Sequence, residues 1–206
     1  MYYSKVWFEH RSQIYAELAK KGALNRSLDS VTFNFAEPKV GWIDVSIFVN
    51  GEKKAFVPLS DVYDPFDDIK EWLESISKNI NLTNTILINC EGYYTLLAYE
   101  QIDVFAEKSP NYDMKHQSMG LFYVYNSYDD KILFCALCNT EEFVSAFYRT
   151  LRRMPLQCKE FHFNDHWYCA PYYEDNGDDE EIDENRVFYD HIESSIVETY
   201  LKESNQ

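Results

Sequence analysis

Glycine and proline are scarce in this 206-residue chain, at six residues each. This scarcity excludes long flexible linkers and low-complexity spacers. The glycines never take the spacing of a phosphate-binding loop, and no Gly-x-Ser-x-Gly elbow occurs. The longest apolar stretches, such as ILFCALC, fall far short of the roughly 20 residues that a membrane-spanning helix needs. The sequence therefore lacks the local motifs of nucleotide-binding enzymes and serine hydrolases, and it predicts no membrane insertion.

A secretory leader is also missing from the opening residues MYYSKVWFEHRSQIY. They contain no basic segment followed by an apolar stretch and a small-residue cleavage site. The chain has five cysteines, an odd number that does not fit a complete set of internal disulfides. We therefore expect a cytoplasmic protein with reduced thiols.

Negative charge dominates the chain, with 35 acidic against 19 basic residues and a net charge of −16. Most of the excess lies in the C-terminal part, where residues 160–206 carry 14 acids and two bases, or −12. Eight of the eleven residues in 174–184 are acidic. Such a charge repels nucleic-acid phosphates and anionic lipids, so we expect neither as a partner. It favours a basic protein partner, and a solvated loop without a partner is the alternative.

Hydrophobic residues make up 46% of the chain, which is enough to build the core of a single domain over residues 1–206. Amphipathic periodicity predicts helices at 6–21, 65–80, 140–154 and 186–202. Short apolar segments predict strands, two of them joined by the hairpin turn Asn50-Gly51. Since strands and helices do not alternate, we expect an α+β fold, a mostly antiparallel sheet packed with about four helices. The predicted order is α-ββ-α-ββββ-α-β-α.

Helix ends are marked by local chemistry in two places. Asp64 and Pro65 form a typical helix start, because the carboxylate accepts from free amides and proline has no N–H to leave unpaired. Asn139 and Glu142 have capping-box spacing, and Pro155 is expected to end that helix. Helix capping therefore accounts for the carboxylates near residue 64, and no catalytic role is needed to explain them.

A cysteine- and histidine-rich stretch spans residues 135–169 and raises the question of a zinc site. Its possible ligands are Cys135, Cys138, Cys158, His162, His166 and Cys169. A structural zinc site needs four such ligands, and a Cys-x2-Cys pair normally lies in a tight turn. The segment ILFCALC has no glycine or proline for that turn, and in a strand Cys135 and Cys138 point to opposite faces. We interpret the stretch as sheet and expect no metal or other cofactor, with an enzyme or metal-binding site here as the alternative.

Residues 42–76 contain a strand, WIDVSIFVNG, a return strand in KKAFVPLSDVYDPF, and a helix, DDIKEWLESI. This pattern resembles that of small uncharacterised bacterial α+β proteins of the immunity-protein type. The resemblance implies an inhibitor that binds a toxin domain, often a basic nuclease, and blocks its active site. It assigns no binding residue in this chain.

The segment WYCAPYYEDNGDDEEIDE combines aromatic rings with carboxylates and is the candidate interface. Its candidate contact residues are Trp167, Tyr168, Tyr172, Tyr173, Glu174, Asp175, Asp178, Asp179, Glu180, Glu181 and Asp183. Tyrosine offers contact area at a low entropic cost, and carboxylates steer association with a basic surface. We therefore interpret the chain as a binding or inhibitor protein rather than an enzyme.

Overall fold

The computed structural model describes residues 28–101, 118–157, 167 and 192–204. Seven strands, three α-helices and one 3-10 helix lie in these residues, which confirms the α+β class. The elements are β1 Val31–Phe35, β2 Trp42–Val49, β3 Glu52–Ser60, the 3-10 helix Asp61–Tyr63, α1 Phe66–Ser77, β4 Thr83–Asn89, β5 Tyr94–Gln101, β6 Met119–Asn126, β7 Lys131–Asn139, α2 Thr140–Gln157 and α3 Ser195–Glu203. The helix expected at 6–21 and most of the strand expected after Pro155 lie outside the described residues. The described residues of that expected strand are helical instead, since 156 and 157 belong to α2 and Trp167 is also helical.

The described strands divide between two antiparallel sheets, where the sequence predicts one. The first sheet has the order β1-β2-β3 and the second has the order β4-β5-β6-β7. Helix α1 separates β3 from β4 along the chain, and these two strands do not pair. Every pairing in the second sheet joins strands that are neighbours in sequence. Four-residue turns, 90–93 and 127–130, join β4 to β5 and β6 to β7, whereas residues 102–118 connect β5 to β6.

The first sheet contains one strand that the sequence analysis missed. β1, VTFNF, pairs with β2 and buries Val31, Phe33 and Phe35 on alternate positions. Its period of two is the ordinary signal of a half-buried strand, so the pattern was available in the sequence. The predicted hairpin between β2 and β3 is confirmed, because Asn50 and Gly51 have φ values of 53° and 79°.

An aromatic cluster joins both sheets and two helices. Phe33 on β1 lies 4.5 Å from Phe147 on α2, measured between ring centroids. Phe122 on β6 lies 4.8 Å from Phe143 on α2, and Trp72 on α1 lies 5.9 Å from the same Phe143 ring. The Trp72–Phe143 pair is edge to face and the other two are tilted. Aromatic pairs contribute about 0.5–1.5 kcal/mol each beyond the burial of their area. The cluster therefore holds the layers of the fold in one core.

A buried carboxylate links the first sheet to the edge of the second. The backbone N–H of Asp29 donates to the carbonyl of Leu137 at 2.6 Å, and the N–H of Leu137 donates to Asp29 Oδ2 at 3.1 Å. Asn50 Nδ2 donates to the other carboxylate oxygen at 2.8 Å. Asp29 is thus hydrogen-bonded both to Asn50 in the hairpin turn of the first sheet and to Leu137 in strand β7 of the second.

The ends of α1 and α2 differ in part from the predicted ones. α1 begins at Phe66, whose N–H donates to Asp64 Oδ1 at 3.1 Å. It ends at Ser77 and not at residue 80 as predicted, and Ile80 is 64% exposed. The capping contact of α2 is confirmed, since Glu142 N donates to Asn139 Oδ1 at 2.9 Å. Pro155 does not end α2 at once but lies inside it, and the helix runs two residues further, to Gln157. The proline disrupts only this last turn, which is consistent with a helix end close behind it.

The C-terminal helix is shorter than predicted, because residues 192–194 are not helical and α3 begins at Ser195. Ser194 is its N-cap, and the serine Oγ accepts from Val197 N at 3.2 Å. The same hydroxyl donates to Glu74 Oε1 on α1 at 2.8 Å, and Ser194 N donates to the Tyr148 hydroxyl on α2 at 3.0 Å. One buried serine therefore caps α3 and attaches it to both other helices.

We expect Ser194→Ala to lower the free energy of unfolding by about 1–2 kcal/mol, because the N-cap and the bond to α1 are lost together. Urea denaturation followed by circular dichroism measures the change. The matched control is Ser204→Ala, which removes an exposed hydroxyl that donates to Tyr200 O at the other end of the same helix. That control should lower stability by less than about 0.5 kcal/mol, and equal effects of the two substitutions would contradict the role of Ser194.

Close packing inside the second sheet requires glycine at position 120. A Cβ atom there would overlap the ring of Tyr99, which is fully buried and donates its hydroxyl to Thr140 Oγ1 at 2.7 Å. Thr140 is the first residue of α2. The ring therefore cannot move aside without breaking its bond to the helix.

Accordingly, Gly120→Ala should lower the free energy of unfolding by about 1–3 kcal/mol through overpacking against Tyr99. The same denaturation measurement, repeated in a Tyr99→Val background, is the control. If the ring is the cause, the alanine costs less in that background than in the native one. An equal cost in both backgrounds would show that the ring is not the obstacle.

Candidate binding surface

The two described cysteines of the possible zinc site lie on opposite faces of β7. Cys138 belongs to the main core, and its sulfur lies 3.6 Å from the carbonyl of Gly120. Cys135 is half-buried and packs on a second, smaller cluster that includes Tyr123. Thiolates on opposite faces of a strand cannot reach the same ion, so these two residues do not form one half of a zinc site.

The environment of Cys138 also disfavours a thiolate. Burial, with a smaller contribution from the nearby Asp29 carboxylate, raises the pKa of the Cys138 thiol to about 12. Among the described residues, no three His, Cys, Asp or Glu side chains converge as a metal site would require. The other proposed ligands lie outside the described residues; they are Cys158, His162, His166 and Cys169.

The candidate contact residue Trp167 is a core residue. Its side chain is fully buried, and its ring lies 5.2 Å from Phe66 at the start of α1. Trp167 is therefore not available to a partner, and its assignment to the predicted interface is wrong. Burial of a large aromatic ring in the core is favourable because it removes apolar surface from water. The remaining predicted contact residues lie outside the described residues; they are Tyr168, Tyr172, Tyr173, Glu174, Asp175, Asp178, Asp179, Glu180, Glu181 and Asp183.

Exposed apolar side chains instead occur in the 3-10 helix that follows β3. Val62 and Tyr63 are 67% and 50% exposed, between the carboxylates of Asp61 and Asp64. The buried Ser60 hydroxyl accepts from Val62 N at 3.3 Å and donates to Glu91 Oε1. Ser60 therefore fixes this turn and joins it to the turn between β4 and β5.

Two further turns extend this surface at the same end of the second sheet. Tyr94 begins β5 and is 41% exposed; its N–H donates to Ser127 Oγ at 2.7 Å, and Ser127 N donates to Tyr94 O at 2.9 Å. Tyr128, in the turn between β6 and β7, is 81% exposed. Its ring meets the half-buried Tyr93 ring edge to face at 6.1 Å. The two turns are thus bonded to each other by backbone and side chain.

Local hydrogen bonds hold the turn that carries Tyr128. Asn126 Oδ1 accepts from Tyr128 N at 2.8 Å and from Asp129 N at 3.3 Å. The Tyr125 hydroxyl donates to Asp130 Oδ1 at 2.7 Å. The exposed ring and its neighbouring carboxylates therefore project from a turn whose backbone is already ordered.

We name the combined surface the tyrosine face. It consists of Val62, Tyr63, Tyr94 and Tyr128 together with the carboxylates of Asp61, Asp64, Glu91, Asp129 and Asp130. Lys131 lies 3.0 Å from Asp129. The five named carboxylates and this ammonium sum to a formal charge of −4. It offers aromatic contact area surrounded by negative charge, a composition that suits a basic protein surface.

The parts of the tyrosine face are far apart along the chain, so the face as a whole cannot be recognised from the sequence. The segments DVYD, EGYY and YDD each place a tyrosine next to acids, which is a visible local signal. Their proximity depends on the pairing of β4 to β7 and on the contact between Ser60 and Glu91, and neither can be read from local pattern.

The fold and this surface define an α+β protein of two antiparallel sheets with an acidic, tyrosine-rich end. No protein-family model, curated protein or solved structure matches the chain. Among the helices in the described ranges, none is long and apolar enough to cross a bilayer.

Cys138 should resist alkylation in the folded protein, because its thiol is buried and its raised pKa keeps it protonated at about pH 8. We expect Cys135, which is half-buried, to react with iodoacetamide first. Mass spectrometry of the digested protein after timed labelling measures both rates. Labelling in denaturant is the control, where both thiols should react alike. Equal rates in the folded protein would contradict the assigned positions.

Proposed function

We propose that this protein is a non-enzymatic binding protein that neutralises a basic protein, in the manner of an immunity protein acting on a toxin. The tyrosine face is the observation that carries the proposal. It presents three exposed phenol rings among five carboxylates on turns that hydrogen bonds hold in place. Tyrosine-rich, preorganised surfaces lose little entropy on binding, and their charge speeds association with a basic partner.

The net charge of the whole chain supports the same partner chemistry. At −16 it attracts a basic protein over several ångströms and repels nucleic acid. The acidic segment 174–184 adds to this field wherever the partner approaches. The two functions expected of an inhibitor, fast association and a specific contact, are thus divided between the overall charge and the tyrosine face.

The burial of two of the three described cysteines supports binding over catalysis. Cys90 and Cys138 are core residues, and burial raises the pKa of each thiol. A catalytic cysteine needs the opposite, a lowered pKa and an open position. These two thiols are therefore poor nucleophiles, and their chemistry is that of small apolar side chains.

The test is a purification of the tagged protein from the cells that make it, followed by native mass spectrometry in reducing buffer. We expect a stoichiometric complex with a basic protein. That protein, expressed alone, should slow growth, and co-expression of this chain should restore it. The complex should weaken as salt rises, because exposed charges are screened.

A double variant, Tyr63→Ser with Tyr128→Ser, tests whether the surface is responsible. Both rings are exposed, so the fold should keep its stability within about 0.5 kcal/mol, and growth rescue should be lost. The matched control is Leu156→Ser, which changes an exposed apolar residue on α2. A neutral or acidic partner, or a basic partner that is harmless alone, would refute the proposed function.

A further inference from the structure

Each exposed tyrosine of the tyrosine face lies within three residues of a carboxylate on the same turn. The pairs are Tyr63 with Asp64, Tyr94 with Glu91, and Tyr128 with Asp129. From this repeated pairing we infer that the face selects arginine over lysine in its partner, an inference that rests on the proposed function. The partner segment is thus an exposed stretch of arginines, not merely a positively charged surface.

The chemical reason is that a guanidinium can use both members of a pair at once. It is planar, so it stacks on a phenol ring while its N–H groups donate to a carboxylate beside the ring. An ammonium group is a compact, strongly hydrated charge that gains less from the ring. Each of the three ring–carboxylate pairs therefore favours arginine over lysine.

The molecule contains one internal example of this arrangement. The guanidinium of Arg152 lies over the ring of Tyr148, 5.9 Å from its centroid. The same group lies 3.4 Å from Glu193 Oε1 and 3.9 Å from Glu198 Oε1. An arginine between a tyrosine ring and carboxylates is thus already used within this fold, where it connects α2 to α3.

Tyr128 is the best placed of the three rings for a partner's arginine. It is 81% exposed, and its contact with Tyr93 is edge to face at an interplanar angle of 63°. Lys131 lies against the adjacent Asp129, but both side chains are exposed, at 58% and 44%. Exposed ion pairs of this kind contribute little to stability, so an arriving guanidinium displaces the lysine at small cost.

A second acidic surface lacks the rings and provides a comparison. Asp67, Asp68 and Glu71 lie on α1, where the only aromatic residues are the buried Phe66 and Trp72. Carboxylates there offer charge without an exposed phenol. If charge alone determined binding, α1 would serve a basic segment as well as the tyrosine face does.

The experiment compares two synthetic peptides of equal length and charge, Gly-Arg-Arg repeated three times and Gly-Lys-Lys repeated three times. Isothermal titration with the full chain at low salt should give binding roughly tenfold tighter for the arginine peptide. Amide chemical shifts should change at residues 61–64, 91–94 and 127–131. Lys131→Ala should tighten arginine binding further, because the competing ammonium is removed.

Three variants separate the ring from the charge. Tyr63→Ser with Tyr128→Ser should reduce the arginine preference to less than about threefold. Asp129→Asn with Asp130→Asn should weaken both peptides, and Asp68→Asn with Glu71→Gln, which removes the same charge from α1, should weaken them far less. Circular dichroism confirms that each variant is folded.

Equal affinity of the native chain for the two peptides would overturn the arginine inference while leaving a basic partner possible. Shift changes centred on α1 or on 174–184, instead of on the three turns, would also overturn it. The proposed function fails separately, when the protein purified from its own cells carries no basic partner whose harm to growth it relieves.

Discussion

The contacts among the rings of five core residues are the constraint on which the rest of the fold depends; they are Phe33, Trp72, Phe122, Phe143 and Phe147. Neither sheet has enough strands on its own to bury both of its faces, and no described backbone pairing joins the two sheets strand to strand along their length. The rings supply the shared interior that the two sheets and helices require. The turns between the described strands take their positions from elements that this interior fixes.

The tyrosine face shows how that dependence reaches a surface. Its rings lie on the turns that follow β3 and β6 and at the first residue of β5, and these strands contribute side chains to the core. The 3-10 helix is attached to the turn between β4 and β5 through the hydrogen bond from Ser60 to Glu91. Partner recognition, as proposed, therefore relies on side chains that are exposed but whose backbones are anchored.

The structure separates what local pattern can predict from what it cannot. Alternation of Ile43, Val45 and Ile47 and the positive φ demanded by Asn50-Gly51 were readable, because both depend on neighbours within a few residues. The division into two sheets, the burial of Trp167 and the assembly of the tyrosine face depend on contacts between distant segments. Composition identified an acidic, aromatic surface as the expected means of binding, but only the sheet order showed which described tyrosines stand together.

Asp29 has a consequence for the solubility of this chain. β7 is the last strand in the order of the four-stranded sheet, and such a strand normally offers free amides to any passing extended chain. The Asp29 carboxylate occupies the N–H of Leu137, and the Asp29 backbone occupies the carbonyl of the same residue. A foreign strand that tried to add there would have to displace a charged acceptor. The hydrogen bonds between Asp29 and Leu137 thus also hinder the addition of another chain at that edge of the sheet.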